Sequence, residues 1–242
     1  MSLFAKAQQA AANVKVEDKD TLGGSFTVPT DVYVGAIKMA YIDAWKSGAL
    51  FVSIELALLI DGKERAHKET ITISNKAGEF TYTDKQTGDK RPMPSFAMVD
   101  SLFRLASGKG FNEQTPSLKT VKTYDATLKT QVDSEREVFM DVLGKKIHIA
   151  LTEQEVDKTT KDAMSGEYVP TGETRKENVL SKVFDAERRT SAEANAKTEP
   201  KFIEQWLEAN RGKLVNRVKG NKGNALKSGA PTQSVQAQTL FG

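Results

Sequence analysis

Residues 32–60, VYVGAIKMAYIDAWKSGALFVSIELALLI, decide the fold. Residues 32–42 are rich in β-branched and aromatic side chains, and residues 49–60 alternate well enough to pair with them. Between them, Trp45-Lys46-Ser47-Gly48 has the composition of a turn. The stretch therefore predicts a β-hairpin.

The following segment continues the β pattern. Asp61-Gly62 is a second turn signal, residues 64–74 alternate, residues 75–78 form a turn and residues 79–82 form a short strand. Four strands so close together predict an antiparallel meander that begins to close on itself.

One helix is predicted after these strands. Apolar residues recur at helical spacing, and Gly108 supplies a stop; they are Phe96, Val99, Leu102, Phe103 and Ala106. Further strand candidates are residues 118–124, 138–143, 145–151 and 168–169, whereas residues 178–184 fit either a strand or a short helix. The pattern predicts a β-dominated α+β domain over residues 27–184.

The two ends of the chain differ from this domain. Residues 1–26 contain a short amphipathic run and are expected to be flexible or briefly helical, and residues 185–197 resemble a linker. Residues 198–212 predict a helix capped by Thr198, on whose apolar stripe Trp206 is a packing anchor rather than a base-stacking residue. Residues 213–242 predict a disordered basic and polar tail.

Charge is divided between body and tail. The net charge is +3, from 35 basic and 32 acidic residues, but the last acidic residue is Glu208. Six cations follow it without compensation: Arg211, Lys213, Arg217, Lys219, Lys222 and Lys227. Such a tail fits phosphate contacts with a polyanion, and it equally fits a solvated disordered end.

Most site chemistry is missing from the sequence. The absence of cysteine excludes disulfides and thiolate sites, and His67 and His148, which lie in predicted strands, are interpreted as structural. There is no Walker sequence, no HExxH and no GxGxxG. The longest apolar stretch, residues 49–60, is too short for a membrane span. We therefore expect a soluble, cytoplasmic, non-enzymatic protein with no cofactor, metal or membrane partner.

Aromatic residues interleaved with cations are the main functional signal. Aromatic rings stack on bases, and Lys or Arg attracts phosphate, so this pairing favours single-stranded nucleic acid. Each ring could also face the core and each Lys solvent. The candidates are Tyr41, Trp45, Lys46, Phe80, Tyr82, Lys85, Arg91, Lys122 and Tyr124.

The order of these segments resembles a known family. The hairpin VYVGAIKMAYIDAWKSGALFVSIEL is followed by KETITISNKAGEFTYTDKQTGDKRPMPSF, the helix AMVDSLFRLASGKGFNE, and then KTVKTYD, VLGKKIHIAL and GEYVPTGETRKENVLSKVF. This succession is similar to that of the single-stranded DNA-binding proteins of bacteriophage replication modules.

The resemblance implies an OB-fold-like antiparallel barrel with insertions and a helix between strands. It implies a protein that coats single-stranded DNA during phage replication and recombination in the bacterial cytoplasm, using the nine candidates as its groove. It also implies replication partners recruited through the terminal Leu240-Phe241, and a homodimer is a further candidate assembly. Many relatives end in an acidic tail, whereas the tail of this chain is basic.

Two other functions fit the same sequence. A β-rich phage virion or tail component would use the tail and Leu240-Phe241 for protein docking. A magnesium-dependent nuclease would use scattered carboxylates, but no spacing singles out a ligand set.

Overall fold

The computed structural model describes residues 27–125, 127–162, 164 and 166–219. The ten strands among them are β1 (Asp31–Ala44), β2 (Leu50–Ile60), β3 (Lys63–Thr72), β4 (Thr81–Thr83), β5 (Lys90–Pro92), β6 (Ser117–Asp125), β7 (Thr130–Val138), β8 (Lys146–Lys161), β9 (Tyr168–Phe184) and β10 (Leu214–Asn216). The three α-helices are α1 (Pro94–Ser107), α2 (Ser191–Ala196) and α3 (Phe202–Asn210). The predicted β-dominated α+β class is confirmed, with a mostly antiparallel sheet and few helices.

The predicted hairpin forms the centre of the sheet. β1 pairs antiparallel with β2, and β2 pairs antiparallel with β3. Alternate residues of β2, such as Val52, Ile54 and Leu56, are fully buried in the core. β1 passes so close to this core that a Cβ on Gly35 would lie 2.6 Å from Ile149 Cδ1.

The long strands β8 and β9 complete the main sheet. β8 runs antiparallel to the first half of β1, from Asp31 opposite Leu151 to Ala36 opposite Lys146. Its other edge pairs with β9, and the sheet order runs β10-β8-β1-β2-β3. The β8–β9 pair continues to Lys161 opposite Tyr168, as a two-stranded arm beyond β10. Of the β8–β9 pair the sequence predicted residues 145–151 and 168–169 as strands and left residues 178–184 open, because the polar stretch between them lacks the alternation of a half-buried strand.

The sheet of the described residues does not close into a barrel. Its end strands β3 and β9 face each other across a cavity of about 460 Å³ that Pro94, Ser95 and Met98 of α1 partly cover. The Glu69 carboxylate accepts a 3.4 Å hydrogen bond from the Leu180 N–H and also contacts His67. A side chain thus replaces the backbone partner that would join the two strands.

Helix α1 fills one end of the core. Its buried Val99, Leu102 and Phe103 agree with the predicted stripe, and Gly108 ends the helix in the left-handed conformation, with φ 79°. No helix in the described ranges is long and apolar enough to cross a membrane.

Two strand predictions need correction, and the structure decides one alternative that was left open. The fourth predicted strand does not join the meander, because β4 pairs with β5 in a separate two-stranded sheet. Residues 138–143 do not form a strand: Val138 ends β7, and Met140–Val142 is a 3₁₀ helix. Residues 178–184, left open between strand and helix, belong to β9.

The C-terminal elements also depart from expectation. The expected linker contains α2, which a reciprocal capping box of Thr190 and Glu193 begins. Glu193 also accepts the backbone N–H groups of Lys201 and Phe202, so α3 starts at Phe202 and Thr198 does not cap it. Residues 214–216, predicted to be disordered, form β10 because the edge of β8 offers them backbone partners.

Candidate nucleic-acid interface

A groove lies between the outer face of β1–β2–β3 and the β6–β7 hairpin. We call it the hairpin groove; its volume is about 580 Å³. Its lining residues are Met39, Tyr41, Ser53, Glu55, Ala66, Lys68, Thr120, Val121, Lys122 and Gln131.

Strand alternation creates the floor of the groove. Because side chains alternate across a strand, the residues between the buried positions of β2 point to the outer face. There Ser53 lies opposite Tyr41 on one side and Thr70 on the other, and Ala57 lies opposite Ala66. Ser53 and Ala57 are themselves only 2% and 8% exposed, so the accessible part of this face consists of Glu55, Ala66, Lys68 and Thr70.

Trp45 stands at the turn that joins β1 to β2 and retains 45% of its exposed area. Its ring centroid lies 4.4 Å from that of Phe51, and its Nε1–H donates a 2.9 Å hydrogen bond to Thr72 Oγ1. The ring is therefore held in place while nearly half of it stays open. This is the geometry that stacking on a base requires.

Tyr41 has a different environment from Trp45. It lines the groove but is only 7% exposed, since Val121 and Val138 of the hairpin pack against it. Its ring anchors the hairpin to β1 and offers little surface for stacking.

Three lysines in this region form no ion pair with a described residue: two were predicted from the sequence, and the third was found as a lining residue of the groove. Lys46, Lys68 and Lys122 are exposed, and none forms an ion pair within the part of the chain that the structure describes, although Glu55 lies opposite Lys68 and Asp125 lies near Lys46. Many other cations are paired, as Lys38 is with Glu64 and Arg136 with Asp43. The unpaired charges remain available to an anion.

Lys46 also lies near the far end of β6. The N–H groups of Leu128 and Thr127 lower the pKa of Asp125, and the positive charge of Lys46 lowers it further. The first turn and the β6–β7 hairpin thus share one region of the surface.

Tyr124 extends the candidate surface along β6. It is 65% exposed and lies two residues from Lys122, so the two side chains project from the same face of the strand. Of the predicted residues, Tyr41 and Lys122 line the groove. Trp45 is connected to it through Phe51, which packs against the Tyr41 cluster, and Lys46 and Tyr124 are exposed near the Asp125 end of β6.

The candidates around the proline loop lie elsewhere. Phe80 is half-buried against the core, with its ring centroid 5.0 Å from that of Phe96 and 6.0 Å from that of Phe111. Tyr82 and Arg91 belong to the separate β4–β5 sheet, with Lys85 in its loop, and Arg91 pairs with Asp84 at 3.1 Å. This placement does not support a role for these four residues in the groove.

Part of the basic tail is anchored to the body. Arg211 pairs with Asp31 at 3.1 Å, and the Lys213 ammonium donates to the Ala209 carbonyl. The backbone N–H groups of Arg217 and Lys219 bond to Glu155 and Asp157 of β8. Lys222, Lys227 and Leu240-Phe241 lie outside the described residues.

Sequence reasoning missed two groups in this region. Phe51, which supports Trp45, appeared only as part of an apolar run, and Lys68 appeared only as one residue of an alternating strand. Lys68 could have been found by extending the predicted hairpin to β3, because it lies opposite Glu55 on the outer face.

The two histidines make local contacts. His67 Nε2 lies 2.9 Å from Glu69 Oε2, and His148 Nδ1 lies 2.8 Å from the Asp185 carbonyl oxygen. Within the described ranges, no group of three or more His, Asp or Glu side chains is placed to hold a metal ion.

Comparison of the chain with protein-family models, with curated proteins and with solved structures gives no match.

Proposed function

We propose that this protein is a sequence-independent single-stranded DNA-binding protein, built on an OB-like barrel with an open seam between β3 and β9. The chain order supports this proposal: a three-stranded meander, a helix, and a pair that returns to β1. In this assignment β8 and β9 are the fourth and fifth OB strands, and β6–β7 is an insertion. OB barrels are partly open, which fits the unpaired edges of β3 and β9.

The position of the hairpin groove carries the functional proposal. OB folds bind oligonucleotides on the face of their second and third strands and at the loop between the first two. Here that face is the groove floor, and that loop holds the exposed ring of Trp45.

The chemistry of the groove suits a single strand. Trp45 would stack on a base, at about 1–3 kcal/mol, while Lys46, Lys68 and Lys122 contact phosphates. Glu55 lies in the same groove, so the electrostatic potential there is mixed rather than strongly positive. We therefore assign much of the affinity to stacking, which favours unpaired bases of any sequence.

The direct test is a fluorescence-anisotropy titration of labelled oligo-dT at low and moderate salt, with matched duplex as competitor. We expect binding that prefers the single strand and weakens with salt, because neutralised phosphates release counterions. Absence of binding at low salt would reject the proposal and favour the virion-component alternative.

A pair of lysine variants locates the binding surface. Lys68→Ala with Lys122→Ala removes two unpaired groove cations, so we expect a lower affinity and a salt slope smaller by about 1.4. The matched control is Lys201→Ala, an exposed lysine beside α3, away from the groove residues. Equal effects of the two changes would remove the groove from the proposal.

A further inference from the structure

β6 has a free edge. Along its whole length it pairs with β7, and no other described strand lies on its opposite side. Such an edge presents unpaired N–H and C=O groups, which is the template for pairing with another chain.

The side chains of this edge are arranged symmetrically about Val121. Leu118 and Tyr124 lie three residues before and after it, and they are 61% and 65% exposed. Both project from the face opposite Val121, whose own side chain is buried against Tyr41. The exposed side chains of Leu118 and Tyr124 thus lie at equal distances along the strand from Val121.

We propose that β6 pairs antiparallel with β6 of a second copy, about a twofold axis through Val121. In this register Leu118 lies opposite the Tyr124 of the other copy, so each exposed apolar group covers the other. The two lysines of the strand, Lys119 and Lys122, lie opposite Thr123 and Thr120 and avoid like-charge contact. Thr120, Val121 and Lys122 of this edge also line the hairpin groove, so the pairing is tested without DNA; it does not rest on the proposed DNA binding.

Neighbouring registers are less favourable. A twofold axis perpendicular to the sheet keeps each side chain on its own face, so the axis can move only by whole residues. An axis at Lys122 places two lysines against each other, and an axis at Thr120 places Lys122 against Leu118. Centring on Val121 pairs apolar with apolar and cation with hydroxyl throughout residues 118–124.

Sedimentation velocity of the full chain without DNA tests the pairing. A single strand pair gives a small interface, so we expect the monomer to convert to a dimer over roughly 5–500 µM protein. Leu118→Glu and Tyr124→Lys should each weaken the dimer about tenfold or more, because each affects two symmetric contacts. Leu128→Glu, at an exposed apolar residue of the hairpin turn outside β6, is the matched control.

Mixing the two variants tests the register. When one Leu118→Glu chain pairs with one Tyr124→Lys chain, the introduced carboxylate lies opposite the introduced ammonium, and the other symmetric position keeps its Leu–Tyr contact. The mixture should therefore recover dimer that neither variant forms alone. A monomeric wild type over the whole range, or a mixture that recovers nothing, would overturn the proposal.

Cysteine crosslinking provides an independent readout, because the chain has no cysteine. Leu118→Cys with Tyr124→Cys places the two thiols about 20 Å apart within one strand, too far for an internal disulfide. Mild oxidation should give a covalent dimer, whereas a product that stays monomeric contradicts the pairing.

Discussion

Two aromatic residues of β1 and the following turn show that the surroundings of a residue decide whether its ring is exposed for stacking. Tyr41 and Trp45 are both candidates from the sequence, yet Tyr41 is covered by the β6–β7 hairpin and Trp45 is left open. The difference comes from a long-range contact with Val121 and Val138, which local sequence does not contain. The exposure of Trp45 could be predicted, because a turn of Lys, Ser and Gly has no large side chains that could cover the ring.

At the same scale, Glu193 links the two C-terminal helices. Partial burial acts to raise its pKa, but the N–H groups of Thr190, Phe202 and Lys201 outweigh this and lower the pKa below its ordinary value near 4.5. The charged form is therefore the one that stabilises the fold. Its contribution is complete above the unfolded-state pKa and is lost as the pH falls through the folded-state pKa.

Glu193→Ala should lower the free energy of unfolding by about 1 kcal/mol at neutral pH, as loss of a helix cap does. The difference from wild type should shrink as the pH falls through the lowered pKa of the carboxyl. Urea unfolding at several pH values measures both effects. Glu199→Ala, at an exposed glutamate, is the control, and a difference that does not change with pH would contradict the assignment.

At the scale of elements, helix α3 belongs to the folded body. Ile203, Trp206 and Leu207 are buried against Ala150 and Phe184 of the main sheet. The periodic apolar stripe predicted this packing, and the exposed fraction of Trp206 is 7%. The C-terminal segment is therefore needed for stability, whatever the tail beyond it does.

Trp206→Ala should lower the free energy of unfolding by about 3–5 kcal/mol, because it leaves a large cavity in this contact. Denaturant unfolding followed by circular dichroism measures the loss. Gln205→Ala, on the exposed side of the same helix, should have little effect. Similar small losses for both variants would show that α3 does not pack as described.

The elements that sequence reasoning found and missed differ in burial. β1 and β2 carry many buried residues, β3 alternates between exposed and half-buried residues, and α1 buries one stripe. Their apolar or alternating periods of two and 3.6 residues were visible in the chain. β7 and the β8–β9 arm are polar on both faces, and backbone pairing with a neighbour defines them. The groove was missed for the same reason, because one of its walls is the β6–β7 hairpin.

At the scale of the whole molecule, the cations of the C-terminal segment are the main feature that packing of the folded body does not account for. Arg211, Lys213, Arg217 and Lys219 emerge beside β8, two of them through backbone bonds, whereas Lys222 and Lys227 follow the described residues. We expect these two lysines to add phosphate contacts to those of the groove.

Truncation after Lys219 should therefore reduce the slope of log affinity against log salt by about 1.4, the value for two single-strand contacts. Truncation after Lys227, which keeps both lysines, is the matched control and should leave the slope unchanged. Titrations of oligo-dT at several salt concentrations measure it. An equal slope for the two truncated chains would remove the tail from DNA binding.

The most direct test of the central claim uses the two tryptophans. Trp45 is open beside the groove and Trp206 is buried against Ala150 and Phe184, so their emission can be separated by Trp45→Phe. Titration of the wild type with oligo-dT should quench tryptophan emission as a base stacks on Trp45. Trp45→Phe should keep the Trp206 emission and show no quenching, and Trp45→Ala, which removes the ring, should bind more weakly. Binding that anisotropy detects without any quenching, or an unchanged affinity of Trp45→Ala, would contradict the assignment of the groove as the DNA site.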